Sequence, residues 1–210
     1  MKRQLALLAA LTALLATLAS PANAYDKNLA TEYASTWWNK RNASYPAFGS
    51  LLHRGSDCAN FVSQALHAGG YSFKGAPSST LANQWWIRPN SLWYDYSPSW
   101  AVSRDLRTFL LYDIPGGISA GTAPGYAAYF WDPPEMSNGD VLIYDWGKGE
   151  GLSHSALQTG YGTDPDSLWQ GNFVDQHSND RHHAFWSLMP YNANWATTTI
   201  YFVHVSPNNY

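Results

Sequence analysis

Apolar positions recur at three- and four-residue spacing in the first half of the chain and as short runs in the second. Leu29, Ala30, Tyr33, Ala34, Trp37 and Trp38 fall on one stripe and predict a helix over residues 26–41. A loop marked by Pro46, Gly49 and Gly55 follows. Asp57 then opens a second helix that runs to about Ala68 and stops at Gly69-Gly70. A third helix, capped by Ser99, carries Val102, Leu106, Phe109 and Leu110 on one side and ends near Leu111. Residues 75–98 are polar and Pro-containing, yet they hold Trp85-Trp86 and Trp93-Tyr94. Residues 116–134 are rich in Gly, Pro and Ala and read as loop. Strand-like runs cover 140–145, 154–161, 167–176 and 198–205, the first two joined by a Gly-rich turn as in a hairpin. Helices first and an antiparallel sheet second predict an α+β fold.

The N-terminus has a different character. Lys2 and Arg3 precede a Leu/Ala run from Leu5 to Leu18, Ser20-Pro21 breaks it, and Ala22-Asn23-Ala24 gives the small-x-small pattern of a cleavage site. The run is shorter than the ~20 residues of a spanning helix. The expectation is a signal peptide over 1–24, a secreted product and one domain over 25–210. Removing 24 of 210 residues leaves 186, enough for one sizeable core. Lys+Arg falls from 12 to 10 against 15 Asp+Glu, a net charge of −5. That balance argues against nucleic acid, whose phosphates need a basic face, and gives no polybasic membrane signal. A monomer without cofactor is expected. Eleven Trp and fourteen Tyr exceed what one small core hides, so some are expected to line a groove, Trp85 and Trp86 among them.

Cysteine usage points to chemistry. Secreted domains use cysteines in pairs, but here Cys58 is the only one. A thiol attacks as thiolate, and a helix N-terminus and a neighbouring imidazole both favour that form. Cys58 follows Asp57, a good cap residue, and shares a stripe with Phe61, Val62 and Ala65, so it faces whatever the helix packs on. A buried structural thiol would occupy the same stripe. Of seven histidines, His154 opens a strand and is the best placed general base. A polar group at the end of the next strand would orient it: His177, with Asn179, Asp175 and Asp180 as rivals. Zinc is disfavoured, since no HExxH and no paired Cys occur, and no Gly-x-Ser-x-Gly elbow offers a serine nucleophile.

The block Asp57-Cys58-Ala59-Asn60-Phe61-Val62-Ser63-Gln64-Ala65-Leu66, with Ala68-Gly69-Gly70 after it, closely resembles the core motif of the bacterial "putative amidase" domain. Tyr33-Ala34, Trp37-Trp38-Asn39, Tyr45-Pro46, Trp85-Trp86 and Ser99-Trp100 resemble that family's earlier blocks. Gly139 to Asp145, His154, and His177-Ser178-Asn179-Asp180-Arg181 resemble its later ones. The family is similar to the NlpC-type and CHAP-type papain-like hydrolases. The resemblance implies a papain-like fold, amidase or peptidase activity, Cys58 as nucleophile, His154 as base and His177 as orienter. It also implies a peptide or peptidoglycan substrate met near Asp57, Trp85 and Trp86. Two departures bear on substrate: a longer loop over 49–56, and Ser153 where an Asp is expected. Two other readings stay open, an aromatic-rich polysaccharide-binding module and an acyltransferase of the transglutaminase kind.

Overall fold

The computed structural model describes residues 24–49, 55–75, 81–91, 93–113, 117–126 and 136–206, so the expected leader lies outside the described residues apart from Ala24. Helix α1 (Lys27–Trp37) starts at Asp26, whose extended backbone lets its carboxylate accept from the N–H of Asn28 at 2.8 Å. It ends four residues earlier than the apolar stripe predicts, leaving Arg41 beyond the helix. Helix α2 (Asp57–Ala68) matches its expected span, but Ser56, with extended backbone, is the cap, and Asp57 is the first helical residue. Every residue from Asp57 to Leu66 is buried, because α2 lies between the other helices and the sheet.

The predicted third helix is broken. Segments α3 (Pro98–Ala101) and α4 (Ser103–Thr108) flank Val102, which is extended at φ −123° and ψ 119°, the conformation a β-branched residue prefers. A π-helical turn, Phe109–Asp113, ends the unit. The Trp100 indole donates to Asn60 Oδ1 at 2.9 Å, and the Trp100 carbonyl accepts from Ser63 Oγ at 2.8 Å, tying α3 to α2. Ser103 thereby stands beside α2 as the chain restarts. A small hairpin, β1 (Ile87–Pro89) with β2 (Tyr94–Tyr96), occupies the segment read as polar.

Strands β3 (Gly117–Pro124), β4 (Val141–Asp145), β5 (Leu152–Thr163), β6 (Gln170–Gln176), β7 (Arg181–Phe185) and β8 (Thr199–Val205) form one antiparallel sheet in the order β3-β8-β4-β5-β6-β7. The fold is α+β, as expected. Two strands escape the sequence pattern. Residues 117–124, read as loop, pair with β8 along an edge and absorb their small residues in a bulge between Ser119 and Thr122. Strand β7 follows a tight turn at Ser178 (φ +62°) and Asn179 (φ +98°), the backbone of a primed two-residue hairpin. Alternation along β4 sends Val141 and Ile143 toward the helices, and Leu142 and Tyr144 into a second core with Val174, Trp186 and Phe202. Both faces of the sheet are therefore covered. No helix among the described residues is long and apolar enough to cross a membrane.

Candidate active site

Cys58 sits in the first turn of α2, where backbone N–H groups lack helical partners and the helix dipole favours negative charge. Its thiol is buried at the floor of a cleft of about 400 Å³. The Ser56 side chain makes no capping bond to a backbone N–H of α2; its hydroxyl lies 3.0 Å from Cys58 Sγ instead. Ser103 Oγ is 3.7 Å from the same sulfur and accepts from Ser155 Oγ at 2.8 Å, so its own proton is available to the thiol. Two hydroxyls thus serve one sulfur.

Alternation along β5 directs Ser155 and Leu157 toward the helices and places His154 beside Tyr144, its cross-strand partner. The imidazole packs against the Tyr144 and Trp146 rings, each at 5.4 Å. His154 Nε2 is 2.9 Å from Gln176 Oε1. The Gln176 amide nitrogen donates to the Asn179 carbonyl at 3.0 Å, which fixes the oxygen toward the ring. Nε2 therefore carries a proton, and Nδ1 is left for the hydrogen bond with Cys58. Burial pushes the Cys58 thiol up, but the charge and hydrogen bond of His154, with Ser56 and Ser103, outweigh it and bring the thiol from 9.0 to about 7. Burial pulls His154 down, yet Cys58 and Gln176 carry it above its ordinary value. Both shifts favour the thiolate–imidazolium pair, the state in which a cysteine is nucleophilic.

The cleft walls are polar. Trp146 and Lys148 come from the β4–β5 turn, Ser153 from the start of β5, Gln176, Ser178, Asn179 and Arg181 from the β6–β7 hairpin, and Leu188 with Tyr191 to Asn194 from the segment before β8. The β4–β5 turn needs glycine at Gly147: its φ is +73°, and a Cβ there would come 2.4 Å from the Thr197 carbonyl oxygen. The hydroxyl of Ser153 is buried without a hydrogen-bond partner among the described residues.

A family model described as "Putative amidase domain" matches residues 24–203. The chain belongs to this amidase family. The family's description names an amidase, a class of hydrolase acting on C–N bonds. "Uncharacterized protein YhbB" of Bacillus subtilis (strain 168) is 33% identical over 134 residues, 63% of this chain and 36% of that protein. The chain thus spans little more than a third of that relative's length. No solved structure matches the chain.

Within this amidase domain the other expected site residues lie elsewhere. His177 does not orient His154. Its Nδ1 is 3.0 Å from Asp57 Oδ2, its Nε2 is 2.8 Å from the Trp37 carbonyl, and its ring stacks on Phe61. The strand explains the difference: Val174 and Gln176 share the face of His154, and His177, one residue on, points to the helices. Asn179 supports Gln176 through its carbonyl, Asp180 pairs with Arg41 at 2.9 Å, and Asp175 accepts from Thr159 and His182. Asp57 is not a cleft residue. It is buried and bonded to Arg41 Nε at 2.5 Å, His177 and Asn60 Nδ2. The set Arg41, Asp57, His177 and Asp180 clamps the start of α2 to the β6–β7 hairpin, which holds Cys58 and Gln176 in register. Trp85 and Trp86 are core residues, 1% and 4% exposed, and neither lines the cleft.

Four residues at the site escaped the sequence reading: Gln176, Ser56, Ser103 and Trp146. The strand period would have found Gln176, two positions after Val174. Ser103 follows a helix break that apolar periodicity does not register. Among the described residues, Asp175, His182 and His183 place three ligand atoms within 4.8 Å of one another. Each Asp175 oxygen already accepts two hydrogen bonds, from Thr159 and the His183 N–H and from Ser35 and His182. That network accounts for the cluster without a cation.

Proposed function

We propose that this protein is a secreted cysteine amidase of the papain-like kind, akin to NlpC-type and CHAP-type hydrolases, that cleaves amide bonds of bacterial peptidoglycan. One observation carries the reading: a buried thiol brought to about 7 at a helix N-terminus, beside an imidazole raised above its ordinary value, at the floor of an open cleft. The leader-like start at residues 1–24 supports secretion, and the family supports amide hydrolysis.

In this mechanism Cys58 Sγ attacks the scissile carbonyl carbon. The oxyanion is met by the Cys58 N–H at the positive end of α2. His154 gives its Nδ1 proton to the leaving amine, and a thioester to Cys58 remains. His154 then takes a proton from water, which attacks the thioester and releases the acid. Gln176 accepts from Nε2 throughout. It keeps one tautomer and one ring orientation, the role a carboxylate fills in serine triads. A neutral amide stabilises the imidazolium less than a carboxylate would, and the thiolate itself supplies the missing charge.

The test is mass spectrometry of muropeptides released from purified peptidoglycan. Fragments with new amine and carboxyl termini should appear with the wild type and not with Cys58→Ala. A wall left intact by the wild type would overturn the peptidoglycan assignment.

A further inference from the structure

The charge of the cleft is out of keeping with the charge of the chain. Its lining includes two cationic side chains, Lys148 and Arg181, and no Asp or Glu among the described residues, in a chain of net charge −3. The acids of the neighbouring turns, Asp145, Glu150, Asp166 and Asp180, stand outside the lining, and Asp180 is taken up by Arg41. Arg181 is held in place. Its guanidinium lies 3.7 Å from the centroid of the Tyr191 ring, itself a wall of the cleft. The Tyr191 hydroxyl donates to the buried carboxylate of Asp164, which also accepts from the N–H groups of Phe185, Asp166 and Ser167. This carboxylate fixes the tyrosine, and the tyrosine fixes the arginine. The carboxylate nearest to Arg181, Asp166, is exposed and 3.8 Å away, a rim contact that leaves most of the guanidinium's donors open.

We infer that Arg181, assisted by Lys148, is an anion-recognising subsite, and that the substrate carries a carboxylate close to the scissile amide. The inference rests on the proposed amidase reading and names the substrate class of that site. A stacked guanidinium presents a planar pair of donors that matches a carboxylate with little entropy to lose, whereas a substrate amidated at that carboxyl offers no charge. Lys148, on the exposed β4–β5 turn, supplies a point charge at the cleft mouth that raises the local concentration of anions.

Cys58 is the chain's one cysteine, so its alkylation is a site-specific probe. Iodoacetate and iodoacetamide differ by one carboxylate, and the ratio of their rates reads the cleft's preference for an anion. Both rates are to be measured at about pH 7, in wild type, Arg181→Gln, Arg181→Lys and Lys148→Gln, at low and high salt. The expected result is a ratio about fivefold or more lower in Arg181→Gln, largely kept in Arg181→Lys, lowered less in Lys148→Gln, and compressed by salt. If Arg181→Gln does not fold, Lys148→Gln and the salt dependence of the wild type carry the test. A ratio indifferent to all charge variants and to salt, with iodoacetamide still fast, would overturn the subsite and leave the nucleophile standing. A thiol slow toward both reagents would overturn the amidase reading and the subsite with it.

Discussion

Replacing His154 by Ala isolates the cause of the activated thiol. In the wild type, burial alone would push Cys58 upward, and the imidazole is the main influence that reverses it. The change from 9.0 to about 7 corresponds to about 2.7 kcal/mol of preference for the thiolate. In His154→Ala the burial remains and the opposing charge is gone, so the thiol returns to 9 or above. At about pH 7 the ionised fraction then falls from roughly one half to roughly one hundredth, about 50-fold. The rate of alkylation falls much less, because a more basic thiolate is intrinsically the better nucleophile. With a Brønsted slope of about 0.45, two pH units return about eightfold, leaving a net loss of only about sixfold. The midpoint of the rate–pH profile is therefore the sharper readout. The assay is iodoacetamide alkylation of Cys58 between about pH 5 and about pH 10. The wild type should turn near pH 7 and His154→Ala about two units higher. A variant midpoint still near pH 7 would refute the pairing, whatever the absolute rates.

Gln176→Ala should lower kcat about 10- to 100-fold by freeing the His154 ring, while the Cys58 titration midpoint moves much less than in His154→Ala; an unchanged kcat would remove Gln176 from the site. His177→Ala should lower stability by about 1–3 kcal/mol, because the buried Asp57 carboxylate and the Trp37 carbonyl each lose a partner and Phe61 loses its stacked ring, and should leave the Cys58 midpoint near its wild-type value; a midpoint shift as large as that of His154→Ala would restore His177 as the orienter. Burial pushes the Asp57 carboxyl up, but His177, Asn60 and Arg41 outweigh it and hold it below its ordinary 3.8. A depressed carboxyl contributes its stability in full above the unfolded value and loses it as pH falls through the folded one. The Tm gap between wild type and Asp57→Asn should therefore be widest near neutrality and close below about pH 3.8; a gap that persists undiminished in stronger acid would contradict this.

Much of this architecture was legible wherever one period ran uninterrupted. Helix α2 keeps its expected bounds because apolar residues recur along it between a capping serine and two glycines. Strands β4 and β8 fall within a residue of their predicted spans. Elements held by partners rather than by pattern were not legible. Strand β3 is a Gly- and Ala-rich edge that exists because β8 offers it a ladder, and β7 is short and follows a turn of Ser and Asn. The helix break at Val102 is local and costs the sequence pattern nothing, yet it sets Ser103 against the thiol. At the site, Cys58 and His154 carried signals of their own, one in its solitude and one at a strand start. The neighbour of His154 was set by strand parity, and a shift of one residue separates Gln176 from His177. The tryptophans misled for a different reason: Trp85 and Trp100 pack against each other in the core, and their indoles donate to Ser63 and Asn60 of α2 instead of facing a groove.

In this mechanism everything turns on Cys58 forming the acyl-enzyme. Intact-protein mass spectrometry of acid-quenched turnover on a peptidoglycan digest tests it directly. The wild type should carry a substrate-derived adduct, released by hydroxylamine as a thioester should be, and Cys58→Ala should show neither adduct nor turnover. Undiminished hydrolysis by Cys58→Ala would contradict it.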